Sequence, residues 1–315
     1  MANSGANQWD HLFTYDSLVH AISGSVGGMT AMSVFFPLDT IRSRLQLEEN
    51  RKSKDTITML KELVAEEGLE SLYRGLRPVL VSLCASGFVY FYTFHGLRAV
   101  FGSNPSKGHS ALKDLTLGAI AGAVNVLMTT PLWVINMRIK MQGTRVFEAD
   151  RKLRKYPHYD GVLDAICKIS QTEGLLTLWS SVLPSLVLVS NPALQFMIYE
   201  LLKREAQQLL KTNELNGMIV FMLGAISKSI STVVTYPLQV VQSKQRYGTE
   251  EAKKMSMIEI LRWIVRKNGV QGLYKGLESK LLQTVLTTAL MYLCYEKISA
   301  TVFQIMRGSQ RIKSQ

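Results

Sequence analysis

The chain has 315 residues, a formal net charge of +12 and 47% hydrophobic residues, totals that two ordinary soluble domains would also satisfy. The placement of the charges disfavours that class. Residues 115–137 and 182–199 contain no charged residue or histidine, 78–94 contain no charge, and 17–38 contain only His20. Apolar stretches of about 18 or more uncharged residues are candidate membrane spans; buried core helices are the alternative interpretation.

A proline motif recurs three times in the same register. PLDTIRSRLQ begins at Pro37, PLWVINMRIK at Pro131 and PLQVVQSKQR at Pro237, and each copy ends an apolar run. A glycine followed five residues later by an aromatic residue comes after each copy, as Gly68/Tyr73, Gly174/Trp179 and Gly269/Tyr274. A period of about 100 residues indicates internal repeats. We predict repeats over 1–108, 109–213 and 214–315.

The predicted elements follow the same order in each repeat: a membrane helix, a short amphipathic helix at the membrane surface and a second membrane helix. The membrane helices are predicted over 17–46, 78–97, 112–141, 183–204, 216–246 and 279–300, and the surface helices over 56–67, 160–173 and 255–268. The predicted fold is an all-α membrane protein, with six transmembrane helices in three tandem repeats and pseudo-threefold symmetry. Parallel repeats of this kind suggest a transporter whose site lies at the symmetry axis. The cysteines are expected to be buried and without a disulfide or metal role.

The three proline motifs, each followed by the glycine–aromatic element, resemble the mitochondrial carrier family along nearly the whole chain. Trp133 in the second motif and SNPALQF at 190–196 are similar to the subgroup that moves pyrimidine nucleotides, folate or FAD, and NAD. VYFYTF, TTPLWV and LYKGLESKLLQTVLT most resemble the branch that carries CoA, FAD, NAD and adenine nucleotides. These resemblances imply exchange of such cofactors by alternating access.

That branch implies the peroxisomal membrane as the location. The expected partners are the lipid bilayer, the small-molecule substrates and an import receptor for peroxisomal membrane proteins, with no nucleic acid. A mitochondrial inner-membrane carrier of FAD, folate or pyrimidine nucleotides is the alternative within the family. A non-transporting membrane scaffold is the alternative outside transport.

The resemblance implies a gate built from the third and sixth residues of each proline motif, where an acid pairs with a base of the neighbouring repeat. The third residues here are Asp39, Trp133 and Gln239, and the sixth are Arg42, Asn136 and Gln242. Neighbour pairing would join Asp39 to Asn136, Trp133 to Gln242 and Gln239 to Arg42. We therefore predict no ion pair between repeats here, although Asp39 and Arg42 are able to pair within one helix.

A second gate is expected at the opposite end of the membrane helices. Its residues are His95, Arg98, Glu200, Lys203 and Glu296. The predicted pairs between repeats are Arg98–Glu200 and Lys203–Glu296, so we expect closure to be favoured at this end over the Asp39 end. The alternative is that these are solvated charges at helix ends, where an exposed ion pair contributes only about 0–1 kcal/mol.

The substrate site should lie between the two gates. Its candidate residues, counted back from His95, Glu200 and Glu296 or adjacent to the counted positions, are Ser82, Ser86, Val187, Leu188, Asn191, Gln283 and Thr284. Asn191 is placed either to hydrogen-bond a base edge or to cap or kink the helix beside Pro192. Val187 and Leu188 either pack an adenine ring or belong to the core.

Lys228 stands in an apolar helix where the other two repeats carry Gly28 and Gly122. A lysine at bilayer depth costs about 2.5–3.5 kcal/mol on insertion scales, so such residues usually face a cavity or a partner. We predict that Lys228 binds a phosphate of the substrate; snorkelling towards a helix end is the alternative.

An enzyme is disfavoured by the sequence. The chain shows no Ser/His/Asp set, no metal-spaced His/Cys cluster and no glycine-rich phosphate loop. We accordingly expect no catalytic residue, no metal site and no cofactor.

Overall fold

The computed structural model describes residues 26–48, 55–101, 111–144, 157–212, 214–248 and 255–291, and within these ranges it contains helices and no strands. The helices are α1 (26–34), α2 (Phe36–Leu47), α3 (Thr56–Glu67), α4 (Leu76–Phe101), α5 (Ala111–Met141), α6 (Val162–Thr172), α7 (Val182–Leu188), α8 (Asn191–Leu210), α9 (Gly217–Tyr247), α10 (Met257–Asn268) and α11 (277–291). The predicted all-α fold class is confirmed.

Four helical segments within the described ranges are long and apolar enough to cross a membrane. They are Leu69–Phe101, Lys113–Met141, Leu175–Leu210 and Gly217–Tyr247. The first and sixth predicted spans, 17–46 and 279–300, each include residues outside the described ranges. The helices that are described follow the predicted order of membrane helix, surface helix and membrane helix in every repeat.

The described residues fall into two compact units. The larger unit is Pro37–Leu281, and the smaller one consists of residues 26–36 and 282–291. The motif helices α2, α5 and α9 and the three surface helices lie almost wholly in the larger unit. The residues of the gate at the Asp39 end therefore all belong to the larger unit.

Each repeat has its own small hydrophobic core, in which the second half of the motif helix packs on the surface helix. Ile41 and Leu45 of α2 contact Met59 and Leu63 of α3. The corresponding cores join α5 to α6, through residues such as Ile135 and Ile169, and α9 to α10, through residues such as Val241 and Ile264. Because the same positions are buried in each copy, the repeat in the sequence is also a repeat of packing.

The glycine–aromatic element forms a short 3-10 turn after each surface helix. The turns are Leu69–Tyr73, Leu175–Trp179 and Val270–Tyr274, each preceded by a glycine with φ between 67° and 91°. Residues other than glycine rarely adopt such a φ, which explains the repeated glycine. The turn reverses the chain from the surface helix into the next membrane helix.

The eighth residue of each motif is a cation that contacts a residue in or next to the surface helix of the same repeat. Arg44 lies 2.7 Å from Glu67, and Arg138 pairs with Glu173. In the third repeat Lys244 Nζ instead lies 5.2 Å from the centroid of the Trp263 ring. A cation over an aromatic face thus occurs at the position equivalent to the two ion-paired arginines.

The fourth membrane segment is not the single helix predicted over 183–204. It ends as α7 at Leu188 and restarts as α8 at Asn191, with Pro192 in the first turn. Pro192 lacks the N–H that would bond to the Leu188 carbonyl four residues earlier, and its ring would clash with that carbonyl, so α7 ends at Leu188. The N–H groups of Val189 and Ser190 close the end of α7 with bonds to the carbonyls of Leu186 and Val187.

The expectation of buried cysteines is wrong for two of the three. Cys84 on α4 and Cys167 on α6 are both exposed, while Cys294 lies outside the described residues. An apolar run in a membrane protein does not require burial against protein, because lipid also solvates apolar side chains.

Candidate gate and substrate site

The third and sixth motif residues come together with α4, α7 and α8 in the larger unit. Arg42 Nη2 lies 2.9 Å from Asp39 Oδ1, which confirms the predicted pair within α2. The Asn136 amide donates to Ser82 Oγ at 2.7 Å, and the Gln242 amide donates to Ser185 Oγ at 2.8 Å. Gln239 donates to Thr235 of its own helix at 3.3 Å.

The predicted absence of an ion pair between repeats is wrong. Lys140 Nζ of α5 contacts Asp39 Oδ2 of α2, and both residues are buried. Long side chains on a helix point back towards its N-terminus, so a lysine one turn beyond Asn136 reaches back to the level of the gate. The partner of Asp39 is therefore the tenth motif residue of the second repeat, where the sixth was expected.

The tenth motif residues form a second set of contacts between repeats. Besides the Lys140–Asp39 pair, the Arg246 guanidinium lies 5.3 Å from the centroid of the Trp133 ring. In the first repeat Gln46 donates to the Tyr236 hydroxyl at 3.0 Å, and that hydroxyl donates to the Lys275 carbonyl at 2.8 Å. The three tenth motif residues thus make an ion pair, a cation–π contact and a neutral hydrogen bond, and only the first two contact the third residue of the preceding motif.

Backbone packing supports this arrangement beside the gate. A Cβ on Gly75, whose φ is 83°, would lie 3.1 Å from the Lys140 Cα, and one on Gly276 would lie 3.1 Å from the Tyr236 hydroxyl. The second repeat has Ser181 in the equivalent place, at φ −101°. Its hydroxyl accepts a 3.4 Å hydrogen bond from Arg246 Nε. The chain thus turns closely past Lys140 and Arg246, the tenth residues of the second and third motifs, and at Gly276 it turns past Arg42 and Tyr236.

Two candidate substrate residues on α4 contact gate residues of α5. Ser82 accepts from Asn136, and Ser86 Oγ lies 3.4 Å from Trp133 Nε1 and 3.2 Å from Thr129 Oγ1. The predicted site in the first repeat and the predicted gate in the second are therefore adjoining parts of one polar layer.

Asn191 lies at the break between α7 and α8 and faces α9. Its Nδ2 donates to Thr235 Oγ1 at 2.9 Å, and its Oδ1 accepts from Ser231 Oγ at 2.7 Å. It does not cap α8, because the residue at the cap is Ser190, whose side chain makes no capping bond. Both ends of the Asn191 amide thus bond to α9. Of the two structural interpretations, a cap or a kink, these contacts favour the kink.

The remaining candidates are distributed as follows. Val187 is exposed, Leu188 is half-buried, and Lys228 is half-buried on α9. Gln283 and Thr284 belong to the smaller unit, where the buried Gln283 amide lies 3.7 Å from Met32 Sδ and the Thr284 carbonyl accepts from Thr288 Oγ1 at 2.8 Å. The structure thus brings Ser82, Ser86 and Asn191 to the gate helices and leaves Gln283 and Thr284 in a separate unit.

The opposite end differs from its predicted arrangement. Arg98 lies 3.9 Å from Asp114, both about two-fifths exposed, in place of the expected pair with Glu200. Lys203 Nζ lies 5.9 Å from the Tyr199 ring centroid, and His95 stacks on Phe91. Glu296, and with it the predicted pair with Lys203, lies outside the described residues. Asp114 lies in the first turn of α5, and its carboxylate is the one that Arg98 approaches.

The described residues at the Asp39 end are closely packed, while the His95 end includes Glu296 and other residues outside the described ranges, so the expectation that closure is favoured at the His95 end stays a prediction. Asp39, Asn136 and Lys140 are buried, whereas Arg98 and the neighbouring Phe91 are exposed. The expectation underestimated the Asp39 end because it considered only the third and sixth motif residues. Lys140 and Arg246 were missed, although cations in the tenth position of two motifs, against Gln46 in the first, were visible in the sequence.

An all-α chain with repeated membrane helices, and a polar layer at which three repeats meet, defines a membrane carrier. The family model for mitochondrial carrier protein matches residues 14–105, 107–209 and 213–305. The chain therefore belongs to the mitochondrial carrier family, as its motifs indicated.

Several relatives are similar along almost their whole length. The peroxisomal membrane protein PMP34 of Mus musculus is 51% identical, over 94% of this chain and 96% of the relative. The peroxisomal nicotinamide adenine dinucleotide carrier of Arabidopsis thaliana is 31% identical, over 90% and 95%. The peroxisomal adenine nucleotide carrier 1 of Glycine max is 29% identical, over 94% and 95%.

Proposed function

We propose that this protein is a peroxisomal membrane carrier that exchanges nucleotide-containing cofactors by alternating access. Relatives named as peroxisomal carriers of NAD and of adenine nucleotides support the substrate class. NAD and adenine nucleotides are thus the first substrates to test, followed by CoA and FAD. A mitochondrial location is not favoured, because the relative at 51% identity is a peroxisomal membrane protein. A pure scaffold role is not favoured, because other relatives are named as carriers.

The observation that carries this proposal within the chain is Lys228. It is a cation in the membrane helix α9, half-buried in the larger unit, where the equivalent residues are Gly28 and Gly122. A lysine in a membrane helix typically faces a water-filled cavity or an ionic partner. A nucleotide phosphate would be such an ionic partner. A lysine that faced lipid would have neither water nor a counter-charge.

The proposed substrate site comprises Ser82, Ser86, Val187, Leu188, Asn191, Lys228, Gln283 and Thr284. The gates are proposed to be Asp39, Arg42, Trp133, Asn136, Gln239 and Gln242 at one end and His95, Arg98, Glu200, Lys203 and Glu296 at the other. The bonds from Asn136 to Ser82 and from Trp133 to Ser86 support a direct link between site and gate. A substrate that displaces them would loosen the gate as it binds.

The test is uptake of labelled NAD, AMP, CoA and FAD into liposomes that contain the purified protein, with and without nucleotide inside. We expect rapid uptake that depends on internal nucleotide. Lys228→Met, which keeps the length of the side chain, should reduce uptake at least about tenfold, as expected for loss of a charged hydrogen bond. Lys228→Arg should keep most of it.

Lys113→Met is the matched control, because Lys113 is exposed near the start of α5. It should transport like the unmodified protein. Equal uptake by all three variants would remove Lys228 from the site and leave the carrier intact. Absence of uptake of every nucleotide by the unmodified protein would overturn the proposed function.

A further inference from the structure

The side-chain amide of Asn191 is held in one orientation by α9. Its Nδ2 donates to Thr235 Oγ1 at 2.9 Å, and its Oδ1 accepts from Ser231 Oγ at 2.7 Å. The Thr235 hydroxyl has a single proton, which it donates to the Ser231 carbonyl at 2.8 Å. Towards Asn191 this hydroxyl is therefore an acceptor, and it also accepts from the Gln239 amide at 3.3 Å.

Rotation of the Asn191 amide by half a turn would break this arrangement. The rotated Oδ1 would face the oxygen of Thr235, and two acceptors without a proton between them repel each other. Ser231 does not select an orientation in the same way, because its hydroxyl is able to donate to an oxygen or to accept from an amide nitrogen. Thr235 is thus the residue that decides which way the Asn191 amide points.

The oriented amide keeps hydrogen-bonding capacity for a ligand. A side-chain amide has two N–H donors and two acceptor positions on its oxygen. Within the described residues, the contacts of Asn191 to Thr235 and Ser231 use one donor and one acceptor position. One donor on Nδ2 and one acceptor position on Oδ1 are left, and Asn191 is only half-buried. Such an amide complements a ligand edge that carries a donor beside an acceptor.

The adenine ring has such an edge. Its 6-amino group is a donor and lies between the ring nitrogens N1 and N7, which are acceptors, and asparagine amides recognise adenine by paired hydrogen bonds to these groups. Adenine is also the group that NAD, AMP, CoA and FAD share. Hypoxanthine has an oxygen in place of the 6-amino group, so it presents an acceptor where adenine presents a donor.

Lys228 lies on the same face of α9, three residues before Ser231 and seven before Thr235. These spacings correspond to about 5 Å and about 10 Å along the helix axis. Long side chains in a helix point towards its N-terminus, which directs Lys228 away from Thr235. In AMP the phosphate and the base are attached to opposite ends of the ribose. A phosphate contact at Lys228 and a base contact at Asn191 are therefore compatible with one bound nucleotide.

We infer that Asn191 binds the adenine base of the substrate and that Thr235 is a positioning residue, which fixes the Asn191 amide so that it accepts from the 6-amino group and donates to a ring nitrogen. This inference rests on the proposed function for the substrate class. Its consequence is selectivity among purine nucleotides, because a fixed amide does not rotate to suit hypoxanthine. Packing alone would not separate the two bases, since their rings have nearly the same shape.

The experiment measures the dissociation constants of AMP and IMP by calorimetric titration of the purified full-length protein in detergent. We expect the unmodified protein to bind AMP at least about tenfold more tightly than IMP, the effect of one mismatched pair of hydrogen bonds. Thr235→Val keeps the shape of the side chain but removes the acceptor, so the Asn191 amide becomes free to rotate. The affinities of this variant for AMP and IMP should agree within about threefold.

Thr235→Ser restores the hydroxyl and should restore the preference for AMP. Thr232→Val is the matched control on the same helix, because the Thr232 hydroxyl donates to the Lys228 carbonyl at 2.8 Å and not to the Asn191 amide. It should keep the preference of the unmodified protein. Asn191→Leu removes the amide itself and should bind AMP and IMP alike. The ligand-free melting temperature of each variant reports whether it folds.

Equal affinity of the unmodified protein for AMP and IMP would overturn base recognition by Asn191 and leave the proposed carrier intact. A preference for AMP that persists in Thr235→Val would overturn the positioning role of Thr235. The liposome assay separates the proposed function from this inference. Selective binding of AMP without uptake of any nucleotide would support the base contact and refute the carrier; if the unmodified protein binds neither nucleotide, both fail.

Discussion

Between α2 and α5 the gate is joined by a buried ion pair, in which Lys140 contacts Asp39, whereas between α5 and α9 Arg246 lies over the ring of Trp133. The cations occupy the same motif position in successive repeats, and only the group that receives them differs. The ion pair neutralises charge; the aromatic ring attracts the cation and leaves its charge in place. Tryptophan in the place of an acid thus keeps the contact between repeats but leaves the charge of the cation in place.

The contact between Gln46 and Tyr236 extends this comparison to a neutral hydrogen bond. The three contacts should therefore differ in how much the free energy of unfolding falls when one partner is removed. A buried charge left alone is costly, a buried amide left alone costs less, and a cation that loses part of an aromatic partner costs least.

The largest effect is expected at the ion pair. Asp39→Asn leaves Lys140 buried beside Arg42 without its carboxylate, and should lower the free energy of unfolding by about 3–5 kcal/mol. The melting temperature of the purified protein in detergent measures this. Glu48→Gln, one residue past the end of α2, is the control, because Arg44 retains Glu67 as a partner at 2.7 Å. If Asp39→Asn lowers the free energy of unfolding no more than Glu48→Gln does, the ion pair does not stabilise the gate.

A smaller effect is expected at the neutral contact. Tyr236→Phe removes the hydroxyl that joins Gln46 to the Lys275 carbonyl, and should cost about 1–3 kcal/mol of unfolding free energy because buried polar groups lose their partner. Tyr274→Phe is the matched control, since the two rings stack at 6.3 Å. The Tyr274 hydroxyl makes no hydrogen bond within the part of the chain that the structure describes. This control should therefore have the same melting temperature as the unmodified protein. Similar losses in both variants would indicate ring packing as the cause.

The smallest effect is expected at the cation–π contact. Trp133→Phe keeps an aromatic face under Arg246 but weakens the attraction, with an expected coupling between Trp133 and Arg246 of about 1 kcal/mol. A double-mutant cycle of Trp133→Phe with Arg246→Gln, followed by thermal unfolding, isolates that coupling. The same cycle on Asp39 and Lys140 should yield a larger value. Additive behaviour of Trp133 and Arg246 would mean that the ring only fills space.

The repeat architecture could be predicted because local signals specify it. The surface helices were expected over 56–67, 160–173 and 255–268 and occur at Thr56–Glu67, Val162–Thr172 and Met257–Asn268. Apolar runs, turn glycines and motif prolines each act through their own backbone, so their effects can be read along the chain. The extent of the individual repeats, 1–108, 109–213 and 214–315, stays a prediction.

Only part of the break in the fourth membrane segment could be predicted from the sequence. Pro192 indicates a discontinuity, and a kink at Asn191 is one of the interpretations that the sequence allows. The sequence did not indicate that the Asn191 amide would bind Ser231 and Thr235 of α9. A local signal predicts where a helix stops, but the partner of a side chain on the freed segment depends on which helix lies beside it.

By itself, the sequence determined the class of protein: three copies of a motif, uncharged runs long enough to cross a membrane, and a lysine in one of them. Only the tertiary structure decided which side chains meet at the gate. Asp39 binds Lys140 and Arg42, and Trp133 meets Arg246, because long side chains reach about a helical turn along neighbouring helices. Residue identity and spacing specify helices and repeats, whereas the partner of a buried charge depends on the distance between atoms that are far apart in the chain.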